Sequence, residues 1–375
     1  DSAVEALTSL GVDASGPTLR VILPVGISFY TFQTISYSFD VYRRRVEPTS
    51  NLVDFAVYVA YFPQLVAGPI ERASRLLPLI AHPEHRHLPD RTGWARALSL
   101  VLTGLFKKVV IADGVGTYVT AVFDSPDDYS AVSVAAAVVG FAIQLYGDFS
   151  GYSDIARGVS ELFGIELMVN FRQPYLSRNI TEFWRRWHIS LSDWLREYVY
   201  IPFGGNRGSQ LATYRNLLLT MVLGGAWHGA SWNFVIWGLL HGLALAAHRL
   251  LFGGRTATPD LAVSQVPSIV ATFGVWCVSM VFFRVETLTD AAAVFVALTR
   301  VGSGTVAVDG IVTVVVLGTL TVLLDLAERR RTLHPELTPS DLAAPLRTGF
   351  AAGAMAMAIL VFSGGTPTPF IYFQF

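Results

Sequence analysis

The sequence predicts an all-α polytopic membrane protein, and two observations carry that expectation. Of 375 residues, 52% are hydrophobic and only 15% charged, whereas an average soluble domain carries roughly 25% charged residues. Apolar runs approaching the ~20 residues that cross a hydrocarbon core recur from near the start to the last ten residues.

In order, these runs lie near 20–38, 53–68, 95–112, 131–147, 215–228, 232–252, 267–284, 309–325 and 347–363. The first carries Pro24, Gly26, Ser28, Thr31 and Gln33, and the second ends at Gly68 and Pro69. Broken, polar backbone at membrane depth persists only where protein or a cavity surrounds it, so both are expected to be re-entrant. The other runs are candidates to span. Polar stretches at 81–93, 253–266, 302–308 and 329–346 read as loops. Basic residues cluster at Arg43–Arg45, Lys107–Lys108, Arg178–Arg186 and Arg329–Arg331, and the positive-inside rule places several of these at the cytosolic face. No repeat of fixed period divides the chain. Residues 1–375 are read as one membrane domain, with a motif-bearing core over 20–250 and C-terminal transmembrane helices over 251–375.

A formal net charge of -1 argues against a nucleic-acid partner, which needs a concentrated basic face. The single cysteine, Cys277, lies inside an apolar run and reads as a packing residue, with no disulfide framework or thiolate ligand set. The polar opening from Asp1 does not have the form of a signal peptide, and further membrane helices are expected upstream.

Segment 170–208 interleaves charge with aromatic residues. Asn179 followed by Glu182 has the form of an N-cap with its capping-box partner, so a helix is expected from there. On it Trp184, Trp187, His188, Leu191 and Leu195 share one face, and a turn-forming run, Pro202 to Asn206, ends it. The pattern suits an interfacial helix. His188 is then either a satisfied polar residue of an anchor or a wall of a site.

Segment 216–242 contains two histidines and no acidic residue. His228 sits between two apolar runs, flanked by Gly224, Gly225, Trp227 and Gly229. An ionisable group at membrane depth is a functional candidate by default, although a histidine bonded to a neighbouring helix fits the same pattern. His241 follows His228 by 13 residues, which is not the i, i+4 spacing of a helical metal pair. A metal site is therefore disfavoured and a supporting role expected for His241.

Segment 144–158 places Asp148, Ser150, Tyr152, Asp154 and Arg157 after an apolar run. Asp154 and Arg157 are spaced to pair, the usual way to neutralise an embedded charge. The two aspartates also suit a transported cation, which keeps a secondary transporter as an alternative.

Five stretches, GISFYTFQTISYSFDVYRR (26–44), YFPQLVAGPIER (61–72), QLYGDFSGYSDIARG (144–158), NFRQPYLSRNITEFWRRWHISLSDWLREYVYIPFGGNR (170–207) and GGAWHGASWNFVIWGLLHG (224–242), occur in this order. Together they resemble the membrane-bound O-acyltransferase family, in its bacterial alginate O-acetyltransferase-like branch; the teichoic-acid D-alanyl transfer protein is a more distant similar case. The resemblance implies a multi-pass bacterial cell-membrane protein, a ring of tilted transmembrane and re-entrant helices around a central tunnel. It matches His228 to the near-invariant family histidine and His188 to the second. It also implies acetyl-CoA or a related acyl thioester as co-substrate, with no bound cofactor. The expected partners are membrane lipid, an extracytoplasmic acetyl-transferring protein and a polysaccharide or glycosylated acceptor. Members usually carry more helices before the GISF motif than this chain has.

Acyl transfer to a hydroxyl needs a base, and neutral imidazole suits that task at neutral pH. We assign the role to His228 and partnership to His188. Without a G-x-S-x-G elbow, direct transfer is preferred to a covalent acyl-enzyme. Trp187, Trp227, Asn233, His241, Tyr146 and Asp148 are candidate substrate-contacting or supporting residues. Asn233, Ser190 and Ser231 are candidate oxyanion donors that also fit structural roles.

Overall fold

The longest apolar runs become the helices that set the architecture of the computed structural model, which describes residues 26–253, 262–333, 343–364 and 370. Helix α1 (Ile27–Tyr42) starts from Gly26 at φ 78°. A Cβ there would lie 2.1 Å from the Leu65 carbonyl oxygen, so both conformation and space require glycine. Helix α2 (Leu52–Val59) is capped by Asn51, whose side-chain oxygen accepts from Val53 N at 2.9 Å. Eight residues rise only about 12 Å, so run 53–68 does not cross a bilayer; after α2 it turns through buried Gln64 and Ala67. Helix α3 (Ala73–Ala81) follows. Residues 20–25, including Pro24, and parts of loops 253–266 and 329–346 lie outside the described residues.

Run 95–112 divides between α4 (Arg91–Phe106) and a π-helical turn, Lys107–Ala112, that leads into α5 (Asp113–Asp124). Such turns insert an extra residue and often mark functional positions. Here Lys107 and Lys108 are both buried. Lys107 Nζ lies 2.7 Å from Asp154 Oδ2, while Lys108 Nζ lies 2.7 Å from Asp113 Oδ1 and 2.8 Å from Asp148 Oδ1. These lysines are internal counter-charges rather than free loop cations. The local spacing rule placed Arg157 beside Asp154, but that pair is longer, at 3.7 Å.

Helix α6 (Ala131–Leu162) is the central post, packed by α4, α5, α11 (Val266–Arg284) and α13 (Val308–Leu333). Its apolar window is 78% buried, against 28%, 39% and 22% for the windows of Trp232–Phe252, Val263–Arg284 and Val308–Leu333, which sets it inside the other three. Among the described residues these four helices are long and apolar enough to span. Leu243, Leu250, Val270, Val278, Val315 and Leu323 are exposed, an apolar exterior suited to lipid rather than water.

Two short helices, α7 (Ile180–Trp184) and α8 (Ile189–Leu195), precede the hairpin of α9 (Gln210–His228) and α10 (Trp232–Phe252). A Cβ on Gly225 would meet Phe234 O at 2.2 Å, and one on Gly238 would meet Met221 O at 2.4 Å. Glycine thus lets the two helices touch backbone to backbone, as small residues do in membrane bundles. Helices α12 (Leu288–Ala297) and α14 (Ala343–Phe362) complete the described elements.

Candidate active site

His228 is the last residue of α9. Two residues on from Gly229, Ser231 starts α10 and its hydroxyl accepts from Asn233 N at 3.3 Å. This tight hairpin, together with α11, surrounds the half-buried imidazole with rings: Trp227 at 4.8 Å, Phe283 at 5.0 Å, Trp237 at 5.3 Å and Phe234 at 6.1 Å between centroids.

His188 arrives by a route the helical reading did not anticipate. The expected continuous helix from Asn179 is broken at 185–188, and His188 itself has φ 41° and ψ 57°. The cause lies in segment 170–172. Arg172 N donates to Arg186 O at 3.0 Å and Ile189 N donates to Asn170 O at 2.9 Å, which diverts backbone groups that a continuous helix would use. Asn170 Oδ1 then accepts from Ser190 Oγ at 2.7 Å and from Ser190 N at 3.3 Å. Ser190 Oγ also accepts from Ile70 N at 2.9 Å. The N-cap survives, with Glu182 N donating to Asn179 Oδ1 at 2.8 Å. The capping box does not: the Glu182 carboxylate accepts instead from Arg178 and Arg186.

His188 is 1% exposed. Its ring stands edge-on to Phe149 at 4.7 Å and nearly parallel to Phe29 at 6.4 Å, and neither ring nitrogen has a hydrogen-bond partner among the described residues. Phe29 also touches Trp227, at 6.3 Å. His188, Phe29, Trp227 and His228 therefore form one continuous chain of ring contacts. The arrangement offers two imidazole rings set among aromatic side chains.

The other sequence-predicted residues separate into two groups. Trp227 contacts His228 directly. Trp187 and Tyr146 belong to a layer behind His188: Trp187 packs on Phe171 at 5.0 Å and Trp276 at 4.6 Å, and Phe171 in turn packs on Phe149 at 4.9 Å. The Tyr146 hydroxyl donates to Asp325 Oδ1 at 2.8 Å, and Asp148 is held by Lys108. Asn233 Nδ2 donates to Val285 O at 2.7 Å, the Ser190 hydroxyl donates to Asn170, and the Ser231 hydroxyl caps α10. These three candidate oxyanion donors have backbone-holding work in this structure. His241 Nε2 meets Ser279 Oγ at 2.9 Å.

The family model for MBOAT, the membrane-bound O-acyltransferase family, matches residues 43–288. The chain belongs to that family. It is an integral, multi-pass membrane protein. A probable alginate O-acetylase AlgI of Azotobacter vinelandii is 45% identical over 305 residues, covering 81% of this chain and 59% of the relative. A peptidoglycan O-acetyltransferase of Helicobacter pylori is 41% identical over 301 residues, covering 74% of this chain and 57% of the relative. A teichoic acid D-alanyltransferase of Bacillus subtilis is more distant, 25% identical over 286 residues, covering 71% of this chain and 70% of the relative. The chain spans less than three fifths of the length of the two nearer relatives.

Around the candidate histidines, sequence reasoning did not single out Asn170 or Trp237. Asn170 carried no local signal because its partners lie 20 residues away. Trp184 was assigned only to an aromatic face.

Proposed function

We propose that this chain is the catalytic membrane core of an O-acetyltransferase, moving an acetyl group from acetyl-CoA or a related cytosolic thioester to a hydroxyl acceptor. His228 is the general base and His188 its partner. The observation that carries the reading is the aromatic contact joining the two histidines, on a chain that is 45% identical to a probable alginate O-acetylase. A ring of helices around a tunnel, joining donor and acceptor sides, suits a pair in which His188 is buried and His228 half-buried.

In the direct reaction the acceptor hydroxyl oxygen bonds to the thioester carbonyl carbon while its proton passes to a neutral nitrogen of His228. The carbonyl π pair moves onto oxygen. When it returns, the carbon–sulfur bond breaks and the sulfur leaves with the pair, taking up the proton from His228. The apolar enclosure strengthens each of these electrostatic interactions relative to water. The final acceptor is an extracytoplasmic polysaccharide or cell-wall glycan, in keeping with the polymers that the names of the nearer relatives give. Ion coupling through Asp148 and Asp154 has less support, since both carboxylates lie against lysine.

Free-thiol release from acetyl-CoA by the purified protein tests the assignment. We expect release by wild type and its loss in His228→Ala; equal release by both would remove His228 as the base.

A further inference from the structure

Trp184, Trp237 and His241 come from α7 and α10 and form a triangle of rings, with centroid separations of 5.8, 5.2 and 4.8 Å. Both indole Nε1 atoms and His241 Nδ1 are buried and have no hydrogen-bond partner among the described residues. Trp237 and His241 are 3% and 0% exposed. An indole N–H left unpaired in a buried place is destabilising, and native folds rarely keep such groups without a ligand or water to answer them.

The hydrogen-bond sense of the third corner follows from its neighbours. Ser279 Oγ donates to Trp276 O at 2.7 Å, so the contact at 2.9 Å from His241 Nε2 is accepted by that hydroxyl. Neutral His241 thus carries its proton on Nε2, and Nδ1 is an acceptor. The triangle presents two donors and one acceptor. A carbonyl oxygen can only accept, whereas a hydroxyl matches both senses, accepting from an indole and donating to Nδ1. Trp237 also touches His228, at 5.3 Å, so the triangle lies one ring from the proposed base.

We propose that Trp184, Trp237 and His241 form a hydroxyl-binding subsite that holds a non-reacting hydroxyl of a polyhydroxylated acceptor while His228 takes the proton of the reacting one. The inference rests on the acyltransferase reading and specifies the acceptor class: a polyol or sugar rather than a lone hydroxyl.

The test compares acetyl transfer from acetyl-CoA to glycerol, to methyl glucoside and to ethanol, alongside hydrolysis, measured as free thiol. Replacing Trp237 by its benzothienyl analogue exchanges N–H for sulfur with little change of shape. His241→Gln keeps a donor toward Ser279 and removes the Nδ1 acceptor. We expect wild type to favour the polyols over ethanol, and each variant to lose about tenfold of that preference, read as the ratio of transfer rates within one protein and so independent of any change in hydrolysis, one hydrogen bond's worth. The analogue covers the case in which His241→Gln does not fold. Absence of a polyol preference in wild type overturns the proposal. So does a preference that neither variant alters, which is the result if the three nitrogens hold only a water. Absence of thiol release with every acceptor would instead remove the acyltransferase reading beneath it.

Discussion

Asn170→Ala isolates the force that holds His188 in place. The side chain accepts from Ser190 Oγ at 2.7 Å and Ser190 N at 3.3 Å and donates to Ser153 Oγ at 3.3 Å. The first of these is a strong bond and the other two are long. Losing the strong one costs about 1 kcal/mol, and leaving buried Ser190 groups without it adds roughly 1–3 kcal/mol. Against this stands the left-handed backbone of His188, which costs a residue with a Cβ about 1–2 kcal/mol. With Asn170 present the clamp exceeds the strain, and His188 keeps φ 41°. With alanine the balance reverses, because only the backbone bonds from Ile189 N to the residue 170 carbonyl and from Arg172 N to Arg186 O remain. The imidazole then leaves its place between Phe29 and Phe149, and a displacement of about 1 Å at a reacting group costs up to 10²-fold in rate. Turnover of acetyl-CoA should fall 10- to 100-fold with KM little changed. Asn170→Asp, which keeps the acceptor oxygen for Ser190, should retain more turnover than alanine. A folded Asn170→Ala protein with turnover within twofold of wild type would refute the clamp.

Three further outcomes follow from the packing. Lys107→Met leaves Asp154 without its closest counter-charge in a buried setting, so thermal unfolding should show a loss on the order of 3–5 kcal/mol, with partial recovery in Lys107→Met/Asp154→Asn. Gly238→Ala drives a methyl to 2.4 Å from Met221 O; because the obstacle is backbone, we expect a loss of about 3 kcal/mol, seen as lower yield of monodisperse protein in detergent, whereas Gly274→Ala, with open space around it, should be neutral. Tyr146→Phe removes a hydrogen bond to a buried carboxylate, Asp325, worth about 1.5–3 kcal/mol; it should lower stability while leaving thiol release per folded molecule unchanged, and a collapse of turnover in a stable variant would move Tyr146 into the chemistry.

The sequence was readable wherever the deciding interaction is local. Helix α7 starts at Asn179 because a side-chain amide can take an N–H three residues on, and the glycines around His228 announced the close approach of α9 and α10. The membrane character follows from composition alone. Legibility ended where a partner is remote. The i, i+3 rule found Arg157 for Asp154, yet the shorter contact comes from Lys107, 47 residues away. The face shared by Trp184, Trp187 and His188 assumed one helix. Its break depends on pairing with 170–172, which leaves no periodic trace in 179–195. The open hydrogen-bonding state of Trp184 and Trp237 is a property of three-dimensional surroundings and is invisible in a string of residues.

Both candidate histidines stand where a helical ladder stops, His228 at the end of α9 and His188 before α8. This has a price that the fold meets in a consistent way. Irregular backbone at membrane depth is tolerated only when its polar groups find partners inside the protein. Three asparagines, each 1% exposed, supply those partners: Asn170 takes Ser190 N, Asn216 Nδ2 donates to Gly205 O at 3.0 Å, and Asn233 Nδ2 donates to Val285 O. Asparagine suits the task because its short amide both donates and accepts, so one side chain can replace either missing half of a backbone hydrogen bond. A charged residue in these places would need a counter-ion, and a serine offers a single proton. Asn170 and Asn233 are therefore the means by which a bundle of apolar helices can be interrupted next to its candidate histidines, and Asn216 does the same for the turn at Gly205, farther down α9.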